Sequence, residues 1–187
     1  GEEPLDPGVY LLVLPPDNKF IHVLVASDQQ HFSVAVDIDD IVKSARFKGS
    51  TENETYYTYL RQLEERRPRA DQRKKLMMED SLKKQVYQDE LAIIDKEVEK
   101  IQAEVIRKHP DSFTAMLIKA NQEFDIPEFP ELDEADRKQK QYEYYRAHYF
   151  DHFDLNDPRA MRSGLIHQKI DFFLQKLTYQ VPDSQSV

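Results

Sequence analysis

The sequence predicts an α+β protein that is mainly α: a small antiparallel β-meander followed by a helical domain built on one long helix. Two observations carry that prediction. Residues 8–49 hold short apolar runs separated by turn-forming residues, whereas residues 50–187 hold apolar residues at helical spacing. A third supplies the spine. The stretch Ala70–His109 contains neither Pro nor Gly, and Leu91, Ile94, Val98, Ile101 and Val105 recur along it at intervals of three and four. At ~1.5 Å per residue an unbroken helix of that size would be about 60 Å long. That stripe must be buried against something, so the flanking helices are expected to lie along it. The helix is expected to be core-packed at its C-terminal end and projecting or bent at its poorly patterned N-terminal end.

In chain order, Val9–Leu14 is an apolar run of strand length, and Pro15-Pro16-Asp17-Asn18 is turn chemistry. Lys19–Ala26 is a second strand. His31–Val36 alternates, with Phe32, Val34 and Val36 on one face, and Ala45–Lys48 adds a short fourth strand. Three or four short strands make a marginal sheet on their own, so either the helices cover it or residues 1–49 are a partial β-domain, the C-terminal strands of a β-sandwich-like module, ahead of a helical domain of residues 50–187. Thr51-Glu52-Asn53-Glu54 is a capping box opening a helix that carries Tyr56, Tyr59, Leu60 and Leu63 and stops at Pro68. Asp111 caps a helix bearing Phe113, Met116, Leu117, Ala120 and Phe124, and Asp133 caps the next. Asp157-Pro158 starts a further helix, and Gly164 stops it. Ile166, Ile170, Phe173, Leu174 and Leu177 form the last apolar stripe, which Pro182 ends.

Composition excludes several function classes. There is no Cys among the 187 residues, so thiol catalysis, disulfides and Cys-ligated metals have no residue here. A net charge of −9 argues against nucleic-acid binding and against an anionic membrane surface. No run of about 18 apolar residues exists, so no transmembrane helix is expected. Four Gly in total leave no phosphate-binding loop, and no catalytic constellation stands out. No cofactor is expected.

The candidate sites are few. His148 and His152 are four apart and would share a face on a continuous helix, with Asp151 beside them; this is the sparsest form of a His/carboxylate metal site. Caps and turn hydrogen bonds before Asp157-Pro158 are the simpler account. Asp151, Asp154, Asn156 and Asp157 lack the spacing and glycine of a calcium loop. Arg66, Arg67, Arg69, Arg73, Lys74 and Lys75 form a basic corner, read either as an interaction surface or as a solvated corner with local ion pairs. Tyr142, Tyr145 and Tyr149 share a face and read as core, while Tyr144 points elsewhere.

Residues 145–184 bear a family likeness. His148-Tyr149-Phe150-Asp151, Asp154-Leu155, Asp157-Pro158-Arg159, then Ile166, Lys169 and Leu174, and Pro182-Asp183-Ser184 resemble the helical segment that precedes the thioredoxin-like domain in Bacteroidetes envelope thiol-disulfide oxidoreductases of the TlpA/AhpC type. Phe47–Asn53, His109–Ser112 with Lys119-Ala120, and Gly8–Leu11 resemble earlier parts of the same layout. The resemblance implies a secretory or lipoprotein signal, a small β-domain, this helical domain and then a thioredoxin fold carrying C-x-x-C. That motif is absent here, so the redox activity passes to no residue of this chain, and His152 stands where the family often has Asn.

The leading expectation is a non-catalytic accessory or interaction module of an envelope, periplasmic thioredoxin-like oxidoreductase, its partner a protein or a downstream thioredoxin-like domain. The alternatives are a stand-alone interaction or homodimerisation module, and a metal-dependent enzyme using His148, His152 and Asp151.

Overall fold

The computed structural model describes residues 3–122 and 125–178. The chain is α+β and mainly helical, with small antiparallel β ribbons at its start. It divides into two compact units, Gly1–Ile118 and Lys119–Val187.

In the first unit, β1 (Gly8–Leu14) and β2 (Lys19–Val25) form a hairpin whose register runs from Gly8 opposite Val25 to Leu14 opposite Lys19. The Pro15-Pro16 peptide in its turn is cis, and Asn18 takes φ 52°, a value Asn tolerates better than most residues. β3 (Ser33–Ala35) and β4 (Arg46–Lys48) pair with each other, with α1 (Ile41–Ser44) between them. The strands thus make two ribbons rather than one sheet. The reason is at the far edge of β2, where side chains of the following helix occupy the positions a third strand would take. Ile21, Val23 and Val25 of β2, Ala45, Phe47 of β4 and Tyr57 form the core of this region, with the Phe47 and Tyr57 rings 5.1 Å apart. Each large side chain buried here contributes about 1.5–3 kcal/mol of transfer free energy.

α2 (Thr51–Glu79) starts one residue earlier than a box at Thr51 would place it. Ser50, in extended conformation, is the cap: its Oγ accepts from the Asn53 amide at 3.3 Å. Gly49 precedes it at φ +91°, and a Cβ there would come within 3.0 Å of the His31 carbonyl, so this corner requires glycine. The helix does not stop at Pro68. It runs through that residue, which is exposed and already has helical φ; the loss of one backbone bond is outweighed by contacts along the rest of α2.

The break comes instead at Asp80, which is extended (φ −128°, ψ 91°) and accepts from the Leu82 amide at 3.1 Å. A 3₁₀ turn over Ser81–Lys83 follows, and α3 (Lys84–Lys108) returns along α2. Ala70–His109 is therefore the end of the first arm, the turn and the second arm of a helical hairpin, not a 60 Å rod. Asp80 and Ser81 hydrogen-bond locally in ways that compete with helix, and folding back gives the apolar stripe something to cover. Ile94 and Ile101 of that stripe are buried, and Leu91, Val98 and Val105 are half-buried. The stripe packs on α2. Three polar links fix the antiparallel register: Gln102 to Tyr59, Glu97 to Arg66 and Arg69, and Glu90 to Arg73.

α4 (Phe113–Asn121) is capped by Ser112, not by Asp111: the Ser112 Oγ accepts from the Ala115 amide at 3.0 Å. The Glu52 carboxylate, in the first turn of α2, accepts from the Phe113 amide at 2.9 Å, which places a negative charge at the positive end of α4. Phe113, Met116 and Ala120 are buried; Phe124, expected on the same face, lies outside the described residues.

In the second unit, α5 (Glu134–His148) is capped by Asp133, whose Oδ1 accepts from the Asp136 amide at 2.9 Å. α6 (Pro158–Met161) is capped by Asp157, with Pro158 in its first turn. Gly164 (φ +71°) separates α6 from α7 (Leu165–Phe172), which widens into a π turn over Phe173–Leu177. Of the closing stripe, Ile166 and Leu177 are buried and Phe173 is half-buried, whereas Ile170 and Leu174 are exposed. The wide turn shifts the register beyond Phe172, so a stripe counted at 3.6 residues per turn does not carry through Leu174. The stop expected at Pro182, and Asp183 and Ser184 with it, lie outside the described residues.

Candidate functional site

Asn53 is wholly buried at the third position of α2. Its Oδ1 accepts from the Leu24 amide at 2.8 Å, and its Nδ2 donates to the Leu24 carbonyl at 2.7 Å and to Ser50 Oγ at 2.8 Å. One turn on, the Tyr57 hydroxyl donates to the His22 carbonyl at 3.0 Å. Burial pushes that phenol up to about 12. Two side chains of one helix thus satisfy the outer edge of β2. Burial also lowers the pKa of His22.

Among the described residues nothing pairs with the opposite edge of the hairpin. Because Leu24 and His22 aim their backbone groups away from β1, their partners Val9 and Leu11 aim theirs away from β2, and Val13, opposite Phe20, continues the alternation. The side chains of Leu11, Val13 and Phe20 are exposed on one face of the ribbon. An open edge beside an exposed apolar face is the arrangement that accepts another strand.

The basic corner resolves into separate roles. Arg66 Nε lies 3.1 Å and Arg69 Nη1 3.0 Å from the Glu97 carboxylate, and Arg73 contacts Glu90, so these three arginines tie α2 to α3. The Arg69 and Arg66 guanidinium groups hold the Glu97 carboxyl below its ordinary pKa. Arg67 pairs with Glu64 and Asp71, and Lys75 with Glu79, along α2 itself; Lys74 is exposed on the same helix. Beyond them the hairpin end exposes Met78 (80%), Leu82 (96%) and Val86 (52%).

His148 and His152 do not share a helical face, because α5 ends at His148 and residues 149–152 form a turn. The His148 Nδ1 lies 2.6 Å from Asp151 Oδ2, and its ring lies 4.1 Å from that of Tyr144, which also meets Phe129. Asp154 Oδ1 accepts from the Asn156 amide, and Asp157 both caps α6 and pairs with Arg159 at 2.6 Å, which depresses its pKa. Among the described residues no three His, Cys, Asp or Glu side chains converge as a metal-ligand set.

His152 instead lines a cavity of about 450 Å³ in the second unit with Tyr145, Tyr149, Lys169, Phe172 and Ile126. The Tyr149 and Phe172 rings stack at 5.7 Å and 14°, Tyr145 meets Tyr149 edge-on, and the Lys169 ammonium sits 4.9 Å from the Tyr149 ring centre. Burial lowers the Lys169 pKa. In the sequence, Tyr145 and Tyr149 read as core; the structure leaves both half-buried at this cavity. Lys169 and Asn53 were not legible as site residues. The only signals were Lys169 three residues before Phe172, and an Asn among capping residues.

No helix among the described residues is long and apolar enough to cross a membrane. A family model described as a domain of unknown function, DUF5106, matches residues 94–187, half of the chain. No curated protein and no solved structure matches.

Proposed function

This chain belongs to the DUF5106 family, and on that premise we propose that it is a non-catalytic accessory module of a larger envelope protein with a thioredoxin-like domain. The observation that carries the reading is the open edge of β1. Val9, Leu11 and Val13 present backbone groups that no described residue pairs with, next to the apolar face of Leu11, Val13 and Phe20. A strand left this way invites aggregation unless something pairs with it. Residues 1–49 then act as the C-terminal strands of a larger β-module, and the rest of the parent protein supplies the missing strand. The family likeness of residues 145–184 supports the redox context. The absence of Cys assigns any dithiol chemistry to another part of the parent.

The test has two arms. The open reading frame should continue past Val187 into a thioredoxin-like domain with C-x-x-C. The full-length product should reduce insulin disulfides, while residues 1–187 alone should not. A reading frame that stops soon after Val187, or a full-length product without dithiol activity, overturns the redox context.

A second reading, homodimerisation, is favoured by Met78, Leu82 and Val86 at the exposed hairpin end. Sedimentation equilibrium of residues 1–187 tests it: a Met78→Lys, Leu82→Lys variant should dissociate such a dimer, and a wild-type monomer at high concentration rules it out.

A further inference from the structure

Lys169 is a half-buried cation with an aromatic neighbour and, among the described residues, no carboxylate paired with it. An ammonium withdrawn from water is normally compensated by an ion pair or by hydrogen bonds. Here its contact is the face of Tyr149, a cation–π interaction weaker than an ion pair. Tyr149 in turn is held by the parallel ring of Phe172 and the edge of Tyr145, so the aromatic wall is fixed from two sides. The cavity these residues line, about 450 Å³, is within the range of ~300–1,000 Å³ usual for small-molecule sites. Its lining also holds Ala120 and Ile126, which are apolar, and Asn121, Gln122 and His152, which carry hydrogen-bonding groups. Aromatic rings beside a single ammonium, with amide and imidazole groups as further hydrogen-bonding partners, select a ligand with one anionic end and a planar body.

We propose that the cavity between α5 and α7 binds a small organic anion, its carboxylate or equivalent group on Lys169 and its flat body against Tyr145, Tyr149 and Phe172. The lowered pKa of Lys169 agrees with a cation awaiting a counter-charge. The site is independent of the β1 edge and of the redox context, so it stands or falls on its own experiment.

That experiment titrates residues 1–187 with 2-naphthoate and with its uncharged analogue 2-naphthamide, following probe fluorescence and the proton signals of the aromatic rings. Naphthoate should bind about tenfold or more tightly than the amide, as a charge-assisted contact requires, and should shift the Tyr145, Tyr149 and Phe172 rings. Lys169→Met should remove the preference, and Lys169→Arg should keep most of it. Equal affinity for acid and amide in the wild type overturns the proposal, as does absence of naphthoate binding. The wild-type comparison needs no variant to fold. A Lys169→Met protein that folds and still prefers the acid also overturns it.

Discussion

Replacing Asn53 by Ala tests how the first unit is held together. The substitution removes three hydrogen bonds of 2.7–2.8 Å, to the Leu24 amide, the Leu24 carbonyl and Ser50 Oγ. Leu24 is 1% exposed, so its freed backbone groups do not simply turn to water. Leaving a buried donor or acceptor unsatisfied costs about 1–3 kcal/mol each. Two such groups and the lost contact with the cap give a destabilisation of about 4 kcal/mol, a large part of the ~5–15 kcal/mol that a domain usually has. Urea unfolding would measure it as a lower midpoint at unchanged slope. Amide exchange at Leu24 should accelerate far more than at Phe47, which lies outside the network. Asn53→Asp separates the two halves of the arrangement: it keeps the acceptor for the Leu24 amide but sets a carboxylate oxygen against the Leu24 carbonyl. That raises the carboxyl's folded-state pKa, so the deficit of this variant should shrink as pH falls and the group becomes a donor. An Asn53→Ala protein within about 1 kcal/mol of wild type, with Leu24 exchange unchanged, would refute the claim that this side chain closes the edge of β2.

Pro68→Ala should stabilise the protein by about 1–2 kcal/mol in urea titrations, because it restores a backbone bond inside a helix that already forms, partly offset by a freer unfolded chain. Tyr57, raised from 10.0 to about 12, contributes stability that is complete below pH 10 and declines as pH rises from 10 toward 12; Tyr57→Phe should lose about 1 kcal/mol at neutral pH and flatten the alkaline decline, followed by unfolding monitored with tyrosinate absorbance. Asp157 titrates below its usual 3.8 because Arg159 bonds to it, so its contribution is present above that value and lost as pH falls through the depressed one; Asp157→Asn should reduce the acid sensitivity of α6 protection in hydrogen exchange. Glu52→Gln should weaken the start of α4, costing about 0.5–1 kcal/mol as the charge at the helix end is lost.

How far the sequence could be read follows from the range of each interaction. Local signals were legible. The caps at Asp133 and Asp157 and the turn at Pro15–Asn18 all act within four residues, and each is found where the residues place it, whereas Gly164, read as a helix stop, is the N-cap of α7 and α6 ends earlier, at Met161. The 91–105 stripe was legible as a buried face because its spacing is intrinsic to the helix. Its partner was not, since the spacing says that a face must be covered and not by what. Pro68 looked like a stop because proline disfavours a helix interior by ~3 kcal/mol; packing along α2 exceeded that local cost. Asp80-Ser81 carried a weaker break signal inside a Pro- and Gly-free run, yet the chain turns there because the turn lets α3 bury its stripe. The cap moved from Thr51 to Ser50 because Asn53 is committed to Leu24, a contact 29 positions away in sequence. The Lys169 cavity is likewise assembled from residues far apart in the chain, and only the fold brings them together.

The proposed role as an accessory module turns on whether the edge of β1 is completed in the parent protein. Amide hydrogen exchange at Val9, Leu11 and Val13, compared between residues 1–187 alone and the full-length gene product, reports on it directly. Rapid exchange is expected at these amides in the isolated chain and strong protection in the full-length protein, while Tyr10 and Leu12 remain protected in both. Equal, rapid exchange at Val9, Leu11 and Val13 in the two proteins would contradict it.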